Sequence, residues 1–418
     1  MIKSHAGGID HPGSAAGGIG AGGRAAMEHI PMTQHRAGGQ LDILYAGFVL
    51  GHGGDAIQMV ELAAEIGRRG LQTRILVPEL PTTLVVEERA RSLGLDLVRT
   101  PWIRADATSS RQNLIHLLRA FRDNRASLYH LHTGDVCLPR LALLAIGLLD
   151  LKPVVVTTHS PYATMALRSA RARHWSHASR HQLDRIICPS DHSRRLQVDY
   201  GVPPEKVMTI RNSVDLEHYA GGDAGAAYES LGIDRGRRLI LFTSRLDAQK
   251  RPRDAIRSFA CIAGDFPDTD LVLAGCGAEE SRLRELAAAE RLSDRVHFPG
   301  FQKNVPDWLA AASAWIFPTE SENFSLSLLE ALAAGCPIVS TECQGNDEVL
   351  VNERNALTCQ VGDVSAMADG LRRILSDSAL ARRLSAEARE TVSTYSVSHM
   401  VDRYARCYNE CLGYASPQ

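Results

Sequence analysis

Long hydrophobic runs are missing from this chain, and so is a marked charge of either sign. Its opening stretch, MIKSHAGGIDHPGSAAGGIGAGGRAAMEHI, is rich in Gly and Ala. It holds neither the apolar run of roughly 7–15 residues of a signal peptide nor the run of about 20 of a membrane span. Residues 1–40 therefore read as a disordered tail. A formal net charge of −2 gives no ground for a basic face, which argues against nucleic acid as a partner. The nine cysteines are scattered and form no Cys-x-x-Cys pair, so neither a zinc site nor a disulfide framework is expected. They read as buried small hydrophobes in a reducing cytoplasm. Cys407 and Cys411 share a helical face, but two ligands make no metal site. No G-x-G-x-x-G follows the first strand, because GHGGD (51–55) lacks both the spacing and the later acidic residue of a dinucleotide fold. No Walker A lysine is present either.

What is present is alternation. The 418 residues suit two domains of roughly 150–200 residues. From Leu41 onward, short apolar runs alternate with amphipathic stretches, the pattern of βαβ units on a parallel sheet. Strands are expected at 42–48, 73–78, 95–100, 127–132, 153–159 and 185–190. After a polar break at 211–238, read as a linker, they resume at 239–245, 270–275, 295–300, 314–319, 337–341 and 356–359. The fold class is α/β, two Rossmann-like domains facing a central cleft, with ligands bound at strand C-terminal ends. The boundaries fall at 41–215 for an N-terminal domain and 216–391 for a C-terminal domain. Residues 392–418 form a last helix.

Two segments carry the chemistry. In PTESENFSLSLLEALAAGCPIVST (318–341), a strand leads into a helix expected to begin near Phe324 or Ser325 and to stop at Gly335. The free N–H groups of Phe324, Ser325 and Leu326 would make a phosphate seat. Glu330, farther along that helix, could accept two hydroxyls, as a ribose offers. In SRLDAQKRP (244–252), Arg245 and Lys250 close the first strand of the second domain, where cations can stabilise a departing diphosphate; Arg251 is a third candidate.

The order SRLDAQKRP, LVLAGCGAEESRLRELAAAERLSDRVHFPGF, ESENFSLSLLEALAAGCPIVST resembles the retaining GT-B glycosyltransferases of family four (glycosyltransferases group 1). In the first half, GGDAIQMVELAAEIGRRG (53–70), YHLH (129–132), VVTTHS (155–160) and CPSDHSRRLQVDYGVPPEKVMTIRNSVD (188–215) agree. The likeness covers about residues 42–391, and its most specific element is the pair Glu322 and Glu330, seven residues between them. It implies that Arg245 and Lys250 hold the donor diphosphate, Glu322 the sugar hydroxyls and Glu330 the ribose. The backbone at Phe324–Leu326 would bind phosphate oxygens, Gly53 and Gly54 would approach from the first domain, and His159 would lie near the transferred sugar. The last helix would cross back to the first domain.

The implied donor is a nucleotide diphosphate sugar, UDP- or GDP-linked, with no further cofactor and no metal. The acceptor is open. Asn323 stands where the family has glycine, against the expected sugar position; Ser213 and Gln344 are two further departures, read as loop variation. Two rivals share the fold: a sugar-nucleotide 2-epimerase, and a non-catalytic sugar-nucleotide or glycan-binding protein.

Three patterns read as decoys. Asp268-Thr269-Asp270 has the Asp-x-Asp form of a metal motif but precedes a strand, at the wrong end for ligands, so turn chemistry is expected. His130 and His132 share a strand face without a third ligand nearby and read as a polar strand end. The basic stretch 165–185 reads as a solvated face, with contact to an acidic lipid or phosphorylated acceptor as the alternative.

Overall fold

The computed structural model describes residues 35–36, 39–48, 54–80, 83–101, 111–133, 140–159, 182–199 and 201–414. Gly53 and most of the basic stretch 165–185 lie outside them. Two all-parallel sheets organise the chain. The first holds β1 (Asp42–Phe48), β2 (Gln72–Pro78), β3 (Asp96–Thr100), β4 (Leu128–Thr133), β5 (Val154–Thr158), β6 (Arg185–Cys188) and β7 (Val207–Thr209), in the order β3-β2-β1-β4-β5-β6-β7. The second holds β8 (Arg238–Thr243), β9 (Thr269–Ala274), β10 (Val296–Gly300), β11 (Ala312–Phe317), β12 (Ile338–Thr341) and β13 (Leu357–Cys359), in the order β10-β9-β8-β11-β12-β13.

Both faces of each sheet are covered, which is why the strands are apolar runs and not alternating ones. Along β1, Ile43 and Tyr45 face the helices Gly54–Arg68 and Val397–Leu412, while Leu44 and Ala46 face Arg111–Asp123 and Arg140–Leu148. In the second sheet, Ile240 and Phe242 pack toward helices Pro252–Ala260 and Val364–Ser376. Leu239 and Leu241 pack toward Val305–Ala311 and Leu326–Ala334.

The chain passes between the sheets twice, and the two passages run side by side: the Val214 N–H donates to the Tyr395 carbonyl at 3.0 Å. After the second passage, helix Val397–Leu412 starts on a Ser396 cap, stops at left-handed Gly413 (φ 80°), and buries Met400, Tyr404 and Tyr408 in the core of the first sheet. Asp402 pins it to the helix after β1 through Arg69, at 2.6 Å.

Several expectations are corrected. The polar stretch 211–238 is not a free linker: Asp215 caps a short helix, Leu216–Ala220, and Asp223 caps another, Ala224–Leu231. Turn-forming aspartates and Gly232 (φ 66°) made it look loop-like, yet Ala227 and Tyr228 pack on the second sheet. The N-terminal stretch read as a tail contains a short antiparallel pairing of His35–Arg36 with Gly39–Gln40. Strand β7 has no signal beyond Val207 and Met208 in a short polar setting, and was missed. Cys261 and Cys276 are exposed, whereas Cys188, Cys336, Cys343, Cys359 and Cys407 are buried.

The Asp-x-Asp pair is occupied by arginines. Asp268 meets Arg238 at 2.6 Å, and the buried Asp270 takes a two-pronged grip from Arg237 (2.5 and 2.6 Å) with His297 at 3.2 Å. Burial raises the Asp270 pKa, and the His297 and Arg237 contacts outweigh it, leaving the carboxyl below its ordinary 3.8. Its contribution to stability is then present above that value and lost as pH falls through the folded pKa. Asp270→Asn should cost about 3 kcal/mol at pH 7 in urea unfolding, and the loss should shrink in strong acid. An equal loss at both pH values would show that the charge is not responsible.

Candidate active site

The loops after β8 and β11, neighbours at the centre of the second sheet, are stitched together. Gln249 donates to the Ser321 carbonyl at 2.8 Å and its own carbonyl accepts from the Glu320 N–H at 2.9 Å. This seam brings Lys250 Nζ to 2.5 Å from Glu322 Oε1, with the pair only 11 and 8% exposed. Thr319 Oγ1 donates to the same carboxylate oxygen at 2.8 Å, and the Lys250 ammonium lies 5.5 Å from the centre of the Phe317 ring. Glu322 is further fixed by its N–H, which donates to the Gln344 carbonyl at 2.9 Å. The neighbouring Gly345 sits at φ 91°, and a Cβ there would run into the Glu322 carbonyl, so a left-handed, side-chain-free residue is required. Arg245 stays at the rim, 65% exposed, with Asp247 at 2.8 Å.

The helix that follows runs from Leu326 to Ala334 on a Ser325 cap, whose Oγ accepts from the Leu328 N–H. Ser325 and Leu326 are among the N–H groups at the helix start without an intrahelical partner, and Phe324 directly precedes the cap. Its residue is buried, its ring lies against Tyr395, and its carbonyl accepts from Asn212 Nδ2 at 2.7 Å. Glu330, on the same helix, is hydrogen-bonded to Tyr219, and burial raises its carboxyl pKa. Tyr219 was missed because it stands in the stretch read as a linker.

The first sheet delivers its own strand ends to this loop. Gly54, at the start of the helix after β1, lies so close to Leu326 that a Cβ would touch its side-chain tip. His159, after β5, is buried, and its carbonyl accepts from Asn323 Nδ2 at 3.1 Å. Asn323 Oδ1 accepts from Ser190 Oγ at 2.7 Å and from Ser193 Oγ. The amide of Asn323, the residue expected against the sugar, is held in the contact between the sheets. Glu348 adds a second contact there, accepting from the backbone N–H groups of Asp191 (3.0 Å) and His192 (2.8 Å) at the start of helix Asp191–Asp199.

His130 and His132 are not a polar strand end. Both are fully buried, and His132 Nδ1 lies 2.9 Å from His159 Nε2. The third imidazole comes from the next strand, out of reach of any spacing rule. Burial first, then the neighbouring histidines, push both pKa values well below 6.5, so the rings are neutral at pH 7.

Two parallel α/β sheets whose C-terminal strand ends meet over an acid–base pair and a helix N-terminus define the GT-B class of two-domain enzyme. Residues 226–391 match the model of the family "Glycosyl transferases group 1", and residues 52–218 match "Glycosyltransferase Family 4". The chain belongs to the group 1 glycosyltransferases and is an enzyme of that type. The N-acetyl-alpha-D-glucosaminyl L-malate synthase of Bacillus anthracis is 31% identical over 54% of this chain and 60% of its own length, less than two thirds of that relative. The lipopolysaccharide core biosynthesis mannosyltransferase LpsB of Rhizobium meliloti (strain 1021) is 26% identical over 80% of this chain and 91% of its own. Among solved structures, Anabaena Alr3699/HepE in complex with UDP superposes with a TM-score of 0.75 at 16% identity, covering 88% of this chain and all of that one, a likeness of fold.

Removing one partner of a buried ion pair leaves the other charge without compensation. Lys250→Ala should lower stability by about 3 kcal/mol, and Glu322→Gln should recover part of that loss when combined with it. Strict additivity in a double-mutant cycle of urea unfolding would mean the two side chains are not coupled.

Proposed function

We propose that the protein is a retaining, metal-independent glycosyltransferase that moves a sugar from a nucleotide diphosphate sugar, UDP- or GDP-linked, to an acceptor hydroxyl. The observation that carries this reading is the Lys250–Glu322 pair beside the N-terminus of helix Leu326–Ala334, with Glu330 farther along it. A diphosphate draws Lys250 toward its own charge and releases Glu322 to accept hydrogen bonds from sugar hydroxyls. Arg245 closes on the diphosphate from the rim, and the N–H groups of Ser325 and Leu326 meet phosphate oxygens. These donors stabilise the charge that develops as the glycosidic bond breaks. That is the work a metal would otherwise do. Glu330, beside Tyr219, takes the ribose.

Retention follows from attack on the face the leaving group departs from. No carboxylate is assigned as nucleophile; the departing phosphate oxygen accepts the proton of the acceptor hydroxyl. Gly54 brings the first domain's helix to the donor, and His159 lies beside the transferred sugar. The names of the relatives, one acting with an N-acetylglucosaminyl group and one with mannose, and the UDP in the Anabaena structure support a nucleotide-sugar donor. Among the described residues no helix is long and apolar enough to cross a membrane.

Incubation with a panel of UDP- and GDP-sugars in EDTA should give slow donor hydrolysis with no epimerised sugar nucleotide. An epimerised donor would support the 2-epimerase, and turnover restored only by Mg²⁺ or Mn²⁺ would overturn the metal-free site. Calorimetric titration with free UDP or GDP separates the glutamates. Glu330→Ala should weaken the nucleotide about ten- to a hundredfold, the worth of one or two charge-assisted hydrogen bonds. Glu322→Ala should leave that affinity nearly unchanged while lowering turnover, because the sugar is absent from the free nucleotide. Equal losses in both would mean the ribose and sugar roles are wrongly assigned.

A further inference from the structure

Behind His159 a continuous chain of buried hydrogen-bonding groups crosses the first domain and ends on the last helix. His132 Nδ1 and His159 Nε2 are 2.9 Å apart, with the rings stacked at an interplanar angle of 22°. His132 Nε2 is 3.3 Å from His130 Nδ1. That same His130 nitrogen is 2.7 Å from the Tyr408 hydroxyl, which is 3.2 Å from the Tyr45 hydroxyl. The other His130 nitrogen is 2.8 Å from Thr157 Oγ1, which is 3.2 Å from the Tyr404 hydroxyl. Every side chain in the chain is buried.

A neutral imidazole carries one N–H and one accepting nitrogen, so each link constrains the next. A phenol is the stronger donor and an imidazole nitrogen the stronger acceptor, so Tyr408 donates to His130 Nδ1. His130 then carries its proton on Nε2 and donates it to Thr157. His132 Nε2 can only donate to an accepting Nδ1, which leaves its own Nδ1 to accept from His159 Nε2–H. His159 is left with Nδ1 as its accepting nitrogen. Reversing the Tyr408 link would reverse every later one and put the proton of His159 on Nδ1.

We propose that Tyr408 is a positioning residue that fixes the tautomer of His159 through His130 and His132. The last helix thereby contributes to the site from behind, without touching substrate. This inference rests on the reading of His159 as facing the transferred sugar, but its principal test does not depend on turnover.

The test is a long-range ¹H–¹⁵N imidazole spectrum of the full chain labelled with ¹⁵N-histidine at pH 7.5, with resonances assigned by single His→Gln replacements. His130, His132 and His159 should each show a protonated Nε2. In Tyr408→Phe, which keeps the ring and removes the donor, His159 should become a mixture of tautomers. Val401→Ala, in the same core but outside the chain of hydroxyls and imidazoles, should lower the melting temperature and leave the tautomers unchanged. A wild-type His159 protonated on Nδ1, or a His159 spectrum identical in wild type and folded Tyr408→Phe, overturns the proposal. If Tyr408→Phe does not fold, His130→Gln interrupts the chain at its centre, and an unchanged His159 there overturns it as well. In hydrolysis of UDP-glucose, Tyr408→Phe should lower kcat at least about twofold with KM unchanged, since an equal mixture halves the competent fraction. Absence of hydrolysis in wild type would count against the transferase reading, and the spectra would still decide the tautomer.

Discussion

The amide of Asn323 is the contact on which the rest of the site depends. One side chain accepts from Ser190 and Ser193 and donates to the carbonyl of His159, so it binds the ends of two strands of the first sheet to the loop after β11. The next residue back, Glu322, faces the other way and holds Lys250 of its own sheet. The next residue forward, Phe324, gives its carbonyl to Asn212 where the chain first passes between the sheets. Three consecutive residues thus fix the crevice from three directions. A glycine at 323 would leave the backbone path intact and remove the cross-sheet grip, because only a side chain carries both a donor and an acceptor that far.

The charges of the site follow the same economy of placement. Lys250 and Glu322 are both nearly enclosed, and each would be costly alone; together they are mutually neutralised. Arg245 is exposed and held by Asp247 at 2.8 Å and by the Gln249 side-chain carbonyl at 3.4 Å, both contacts at the surface. Glu330 is half-buried beside Tyr219, and burial raises its carboxyl pKa, whereas the His297 and Arg237 contacts lower that of Asp270.

The last helix joins the two themes. Its apolar side completes the core on β1, its Asp402 fastens it to the helix that begins at Gly54, and its Tyr408 reaches the histidine chain behind His159. Cutting or loosening this helix would expose apolar core and disturb the hydrogen bonds behind the site at once.

Much of this was legible in the residues themselves. All strands of the two sheets except β7 follow from apolar runs bounded by turn residues, and β1 is matched from Asp42 to Phe48. The helix stop at Gly335 follows from a residue that takes φ 69° without strain, and the Glu322–Glu330 spacing marked the loop and helix of the candidate site. These signals are local: a period, a cap or a turn depends on residues within about one or two turns of each other. The pairings that make the site are not local. Lys250 and Glu322 are 72 residues apart, Ser190 and Asn323 are 133 apart, and His130 and Tyr408 are 278 apart. No spacing along the chain relates such positions. Only the order of strands in the two sheets, and the return of the last helix to the first, brings them within hydrogen-bonding distance.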